Sequence, residues 1–141
     1  MTISLEKARQ MVAETRAKAR TMGLKPLSVV VLDAGGHVLA FEREDGASPG
    51  RFEIARGKAY GAVMLGMPGS AQMARAEAQA YFMAAVNGAY GGKVIPVPGG
   101  VLVKDVAGEV IGAVGVTGDS SENDAEAALA GIAAAGFEGA A

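Results

Sequence analysis

The sequence contains no cysteine and no tryptophan, and His37 is its single histidine. Without cysteine there is no disulfide framework, no thiolate metal site and no cysteine nucleophile. Aromatic side chains are scarce, with three Tyr and four Phe, so few large rings are available to wall a cofactor. Charge is sparse as well, at 20% of residues and a formal net charge of −2. The basic residues near the start (Lys7, Arg9, Arg16, Lys18, Arg20) are interrupted by Glu6 and Glu14, so no basic face for nucleic acid is expected. No apolar run approaches the roughly 20 residues of a membrane span, and the first residues lack the basic-then-apolar order of a signal peptide. These absences lead us to expect a cytoplasmic protein with neither nucleic acid nor membrane as partner.

Half of the 141 residues are hydrophobic, which suits one compact domain over residues 1–141. A chain of this size buries about two-thirds of its unfolded surface and needs no covalent staple. Its 21 glycines and many alanines let elements approach closely but leave few large side chains for a core. Part of the apolar surface is therefore expected between subunits of a homo-oligomer.

Periodicity predicts a helix over residues 3–22, with Leu5, Ala8, Met11, Val12, Thr15, Ala19 and Met22 on one face. Ser4 suits its start and Gly23 its end. The β-branched run Leu27–Leu32 reads as a buried strand, Asp33–Gly36 as a turn and His37–Arg43 as the returning strand. A helix is predicted over 51–65, where the spacing of Gly57 and Gly61 points to a close packing contact that offsets their low helix propensity. A second helix over 71–85 is expected, capped by Ser70, and then an irregular Gly- and Pro-rich connector to Gly100. Two more strands follow, Val101–Asp105 and Glu109–Thr117, and then a helix to about Ala135, started by a capping box of Asp119 and Glu122. Strands joined in hairpins favour an antiparallel sheet covered by helices, an α+β arrangement, over a doubly wound parallel one.

Three segments carry a family resemblance. Val30–Ala47 gives a strand, Asp, a Gly-Gly turn, a second strand and an Arg-x-Asp-Gly-Ala end. Lys58-Ala59 lies on the following helix. Pro98-Gly99-Gly100-Val101 is followed by Gly112–Gly118, which ends in Thr117-Gly118, and by Asp124. In this order they resemble the GlcG/HbpS-like family, and also the C-terminal domain of PduO-type corrinoid adenosyltransferases. The resemblance implies a profilin-like three-layer α/β/α fold with a central antiparallel sheet of about five strands. It also implies homo-oligomers, often octamers, and haem as a cofactor of several members.

His37 is the only imidazole available to haem iron; the alternative is an exposed turn residue. Met64, Met67, Met73 and Met83 offer thioethers, or simply fill a core. Arg43 and Lys58 are the candidate holders of an anionic group, haem propionates included, unless they form structural salt bridges with Asp33 or Asp45. Pro98, Gly99 and Gly100 would let a ligand approach bare backbone. Thr117, Gly118 and Asp124 surround a helix start that favours anions, or are simply tight turns and a cap. The Gly spacing fits neither a dinucleotide-binding fingerprint nor a phosphate loop. No nucleophile–base pair is visible, and any Ser–His–Asp triad would need His37. Three functional readings follow: a haem- or tetrapyrrole-binding oligomer in haem handling or sensing, an enzyme or accessory protein of small-carboxylate catabolism without redox cofactor, and a ligand-free structural oligomer.

Overall fold

A computed structural model describes residues 1–141. Helix α1 (Leu5–Met22) begins where the Ser4 hydroxyl accepts from the Lys7 N–H at 3.1 Å, and it ends at Gly23 with φ 69°. Strands β1 (Ser28–Asp33) and β2 (Val38–Arg43) form the predicted hairpin. Helix α2 (Arg51–Leu65) has the predicted bounds. Helices α3 (Gly69–Ala78) and α4 (Ala80–Ala89) lead through the connector to β3 (Gly100–Lys104) and β4 (Val110–Thr117). Helix α5 (Ser121–Ala134) and a short strand β5 (Glu138–Ala140) complete the chain.

The five strands lie in the order β2-β1-β4-β3-β5, and each pairing is antiparallel. Alternation along β1 divides the core. Val29 and Val31 face α1 and α5 together with Val114 and Val116, while Val30 and Leu32 face α2 together with Ala55 and Ala59. The result is the expected α+β fold of three layers, with α1 and α5 on one face of the sheet and α2 on the other. No helix is long and apolar enough to cross a membrane.

Three details depart from the sequence reading. The helix expected over 71–85 is two helices that meet at Gln79 (φ −142°, ψ 66°), whose carbonyl accepts from the Phe82 N–H at 3.0 Å. Arg75 hydrogen-bonds the Gln79 side chain and stacks on the Phe82 ring at 4.2 Å, contacts that no apolar periodicity records. Ser70 does not cap α3: that helix starts two residues earlier than expected, with Pro68 at the cap position and no side-chain bond. The start of α5 is capped by Ser120, whose hydroxyl accepts from the Asn123 N–H at 3.2 Å, and not by an Asp119–Glu122 box. Asp119 instead accepts from the Lys25 N–H at 2.9 Å and ties the loop before β1 to α5. Hydrogen bonds from Asn123, Lys25 and Ser120 pull its pKa down to about 2.

Candidate functional site

The β1–β2 turn is organised by one carboxylate. Asp33 Oδ1 accepts from the Gly35 and His37 N–H groups, each at 2.9 Å. The same oxygen lies 3.2 Å from His37 Nδ1. Partial burial pushes the Asp33 pKa up, but the two N–H donors and the imidazole outweigh this and hold it below the ordinary value. The ring thus turns its Nδ1 edge toward Asp33 and leaves Nε2 without a protein partner. The His37 side chain is 80% exposed.

The turn faces the middle of α2 across a groove of about 370 Å³. Gly36 (φ 83°) is held so close to Tyr60 and Met64 that a Cβ there would lie 3.0–3.1 Å from them. One helical turn separates Arg56 from Tyr60, so both reach the groove, and Lys93 of the connector completes it. The Lys93 ammonium sits over the Tyr60 ring at 5.3 Å, and Tyr90 meets that ring edge-on at 6.1 Å. Arg56 lies over Phe52 at 5.4 Å, and its Nε is buried with no hydrogen-bond partner. Neither Arg56 nor Lys93 is paired with a carboxylate, and no acidic residue lines the groove.

The other predicted residues gather elsewhere. Lys58 Nζ lies 3.3 Å from Asp124 Oδ2 and donates to the Val116 carbonyl at 2.9 Å; the two side chains are 3% and 1% exposed. Burial pushes the Lys58 pKa down and the Asp124 pKa up, and in each case the opposite charge offsets part of the push. Asp124 Oδ1 also accepts from the Asp119 N–H at 3.1 Å. Gly99 (φ 112°) and Gly100 pass directly over Lys58: a Cβ on Gly99 would stand 2.9 Å from Nζ, and one on Gly100 2.2 Å from the Lys58 carbonyl oxygen. Pro98, Gly99 and Gly100 line a cleft of about 250 Å³ with Ser70 and Glu122. The Thr117 hydroxyl accepts from Arg51 at 2.8 Å, and Gly118 (φ 144°) packs on the Pro26 carbonyl.

The structure thus joins Lys58, Asp124, Gly99 and Gly100 in one buried knot and places His37 in a different groove. Arg43, the last residue of β2, is exposed and pairs with neither Asp33 nor Asp45; the salt bridge of Lys58 is to Asp124 instead. Among the methionines, Met83 is buried, and Met64 reaches the turn at Gly36. Arg56, Tyr60 and Lys93 were not legible as a group. The four-residue step from Arg56 to Tyr60 was a usable signal once α2 was placed, but Lys93 sits in an aperiodic connector. No group of three or more His, Asp and Glu side chains is arranged to hold a bare metal ion.

A three-layer α/β/α arrangement around a five-stranded antiparallel sheet defines the class, a small α+β protein. Within that class, residues 3–133 match the family described as haem degrading protein HbpS-like, and the chain belongs to this family. It is 35% identical over 133 residues to an uncharacterized 15.0 kDa protein of the dhaT–dhaS intergenic region of Citrobacter freundii, covering 91% of this chain and 90% of that one. A double mutant of Streptomyces reticuli HbpS superposes with a TM-score of 0.79 at 28% identity, covering 94% of this chain and 86% of that one. The PduOC–haem complex superposes with a TM-score of 0.87 at 24% identity over the whole of both chains, a likeness of fold.

Proposed function

We propose that this protein is a haem- or tetrapyrrole-binding homo-oligomer serving haem handling, with His37 as the protein ligand to iron. The observation that carries the reading is the Asp33–His37 pair. An imidazole that binds a metal through one nitrogen almost always donates its other N–H to a carboxylate or carbonyl, and His37 has the Asp33 carboxylate 3.2 Å from Nδ1 to take that role. Haem iron asks for only one or two protein ligands because the macrocycle supplies the rest, so a lone histidine suffices where a bare ion would need a cluster. Membership of the HbpS-like family and a fold shared with a protein solved in complex with haem support the same choice. Bound haem supplies a redox-active iron; the chain supplies the imidazole, its orientation by Asp33, and an open groove beside it. The oligomer is supported by α4, which packs mainly on α3 and leaves Tyr81 74% exposed.

The test is a haem titration followed by absorbance. The protein should give a saturable Soret shift, and His37→Ala should change the ligand band and weaken binding. A flat titration would refute haem binding, and an unchanged band in His37→Ala would move the iron ligand to another residue.

A further inference from the structure

We infer that Arg56 and Lys93 are the anchors for the two carboxylates of a porphyrin lying along Tyr60, so that the groove selects a flat dianion. This rests on the reading of His37 as the iron ligand, and assigns the rest of the groove. The geometry runs from the imidazole at the turn across Tyr60 to two cations. Both cations line the groove, neither is paired with a carboxylate, and no acidic side chain lines it beside them. Arg56 Nε is buried without a hydrogen-bond partner, and the terminal nitrogens of the guanidinium, which make no hydrogen bond within the chain, are the donors left for an incoming carboxylate. Arginine presents its donors as a planar fork matched to a carboxylate, whereas Lys93 acts as a point charge held over an aromatic face. A groove of about 370 Å³ lies within the roughly 300–1,000 Å³ range of small-molecule sites. Because it is open, it holds part of a large ring and leaves the remainder outside.

Iron-free protoporphyrin IX separates the carboxylate anchors from the iron ligand. Its binding, read by fluorescence, draws on no iron–imidazole bond. In the doubly altered Arg56→Gln, Lys93→Gln protein it should weaken by about tenfold or more, since two charge-assisted contacts are lost. The dimethyl ester of protoporphyrin, which lacks both negative charges, should bind the unaltered protein as weakly as the diacid binds the double variant. Coincident melting curves establish that the double variant is folded. Equal affinity of the double variant for the diacid, or equal affinity of the unaltered protein for ester and diacid, overturns the inference. The His37 reading survives that result if the haem band still depends on His37. Conversely, diacid binding that needs Arg56 and Lys93, alongside a haem band indifferent to His37, keeps the anchors and removes the iron ligand.

Discussion

Lys58 and Asp124 have been taken almost wholly out of water, at a desolvation cost of several kcal/mol per ion. Their mutual attraction, the Val116 carbonyl on Lys58 and the Asp119 N–H on Asp124 offset that cost. Removing one charge leaves the other buried alone. Asp124→Asn should destabilise the fold by about 3–5 kcal/mol in urea denaturation at neutral pH. Adding Lys58→Met to Asp124→Asn should restore most of the loss, because no uncompensated ion remains and the amide oxygen still accepts from Asp119. If the double variant is no more stable than the single one, the ion pair is not what the first substitution disrupted. Lys58 stood out through the family resemblance that the Lys58-Ala59 pair carries. Its partner was not, because Asp124 lies 66 positions away and only the packing of α2 against β4 and α5 brings the two together.

Between elements, backbone approach replaces side-chain interdigitation. Gly115 of β4 stands against α2 so closely that a Cβ would fall 2.0 Å from the Ala55 carbonyl oxygen. Gly57 and Gly61 turn the other side of α2 to Ile95, Gln72 and Val94 at similar range, the close contact expected from their spacing. Gly115→Ala should therefore displace α2 and lower stability by at least the roughly 1–3 kcal/mol typical of an overpacked core. Gly88→Ala, in α4 with nothing within 4 Å of the added Cβ, should leave the melting temperature unchanged or raise it. Similar melting shifts for the two would show that α2 has room to move. Strong local signals made α1, α2, the β1–β2 hairpin and the β3–β4 pair readable. The corner at Gln79 and strand β5 had no such signal: the corner is made by side-chain contacts, and β5 is three residues, Glu138–Ala140, without a β-branched side chain. The groove escaped for a related reason, since it joins a turn, a helix middle and a connector that are distant in sequence.

For the molecule as a whole, α3 packs on α2 and β3, whereas α4 packs mainly on α3 and stands away from the sheet. Tyr81 is exposed there beside half-buried Phe82 and Val86. An assembly that buries this helix should have a mass several times 14.1 kDa in light scattering, and Tyr81→Glu should shift it toward the single chain. A protein that is already monomeric, or an assembly untouched by Tyr81→Glu, would remove α4 from the contact. The groove lies apart from the load the fold must carry. His37 and Lys93 are exposed, Arg56 and Tyr60 are half-buried, and of the four only Tyr60 packs against a hydrophobic cluster, at its margin. They hang on an edge hairpin, one helix flank and a connector. Substitutions at His37, Arg56 and Lys93 therefore alter the groove without disturbing the core of the scaffold.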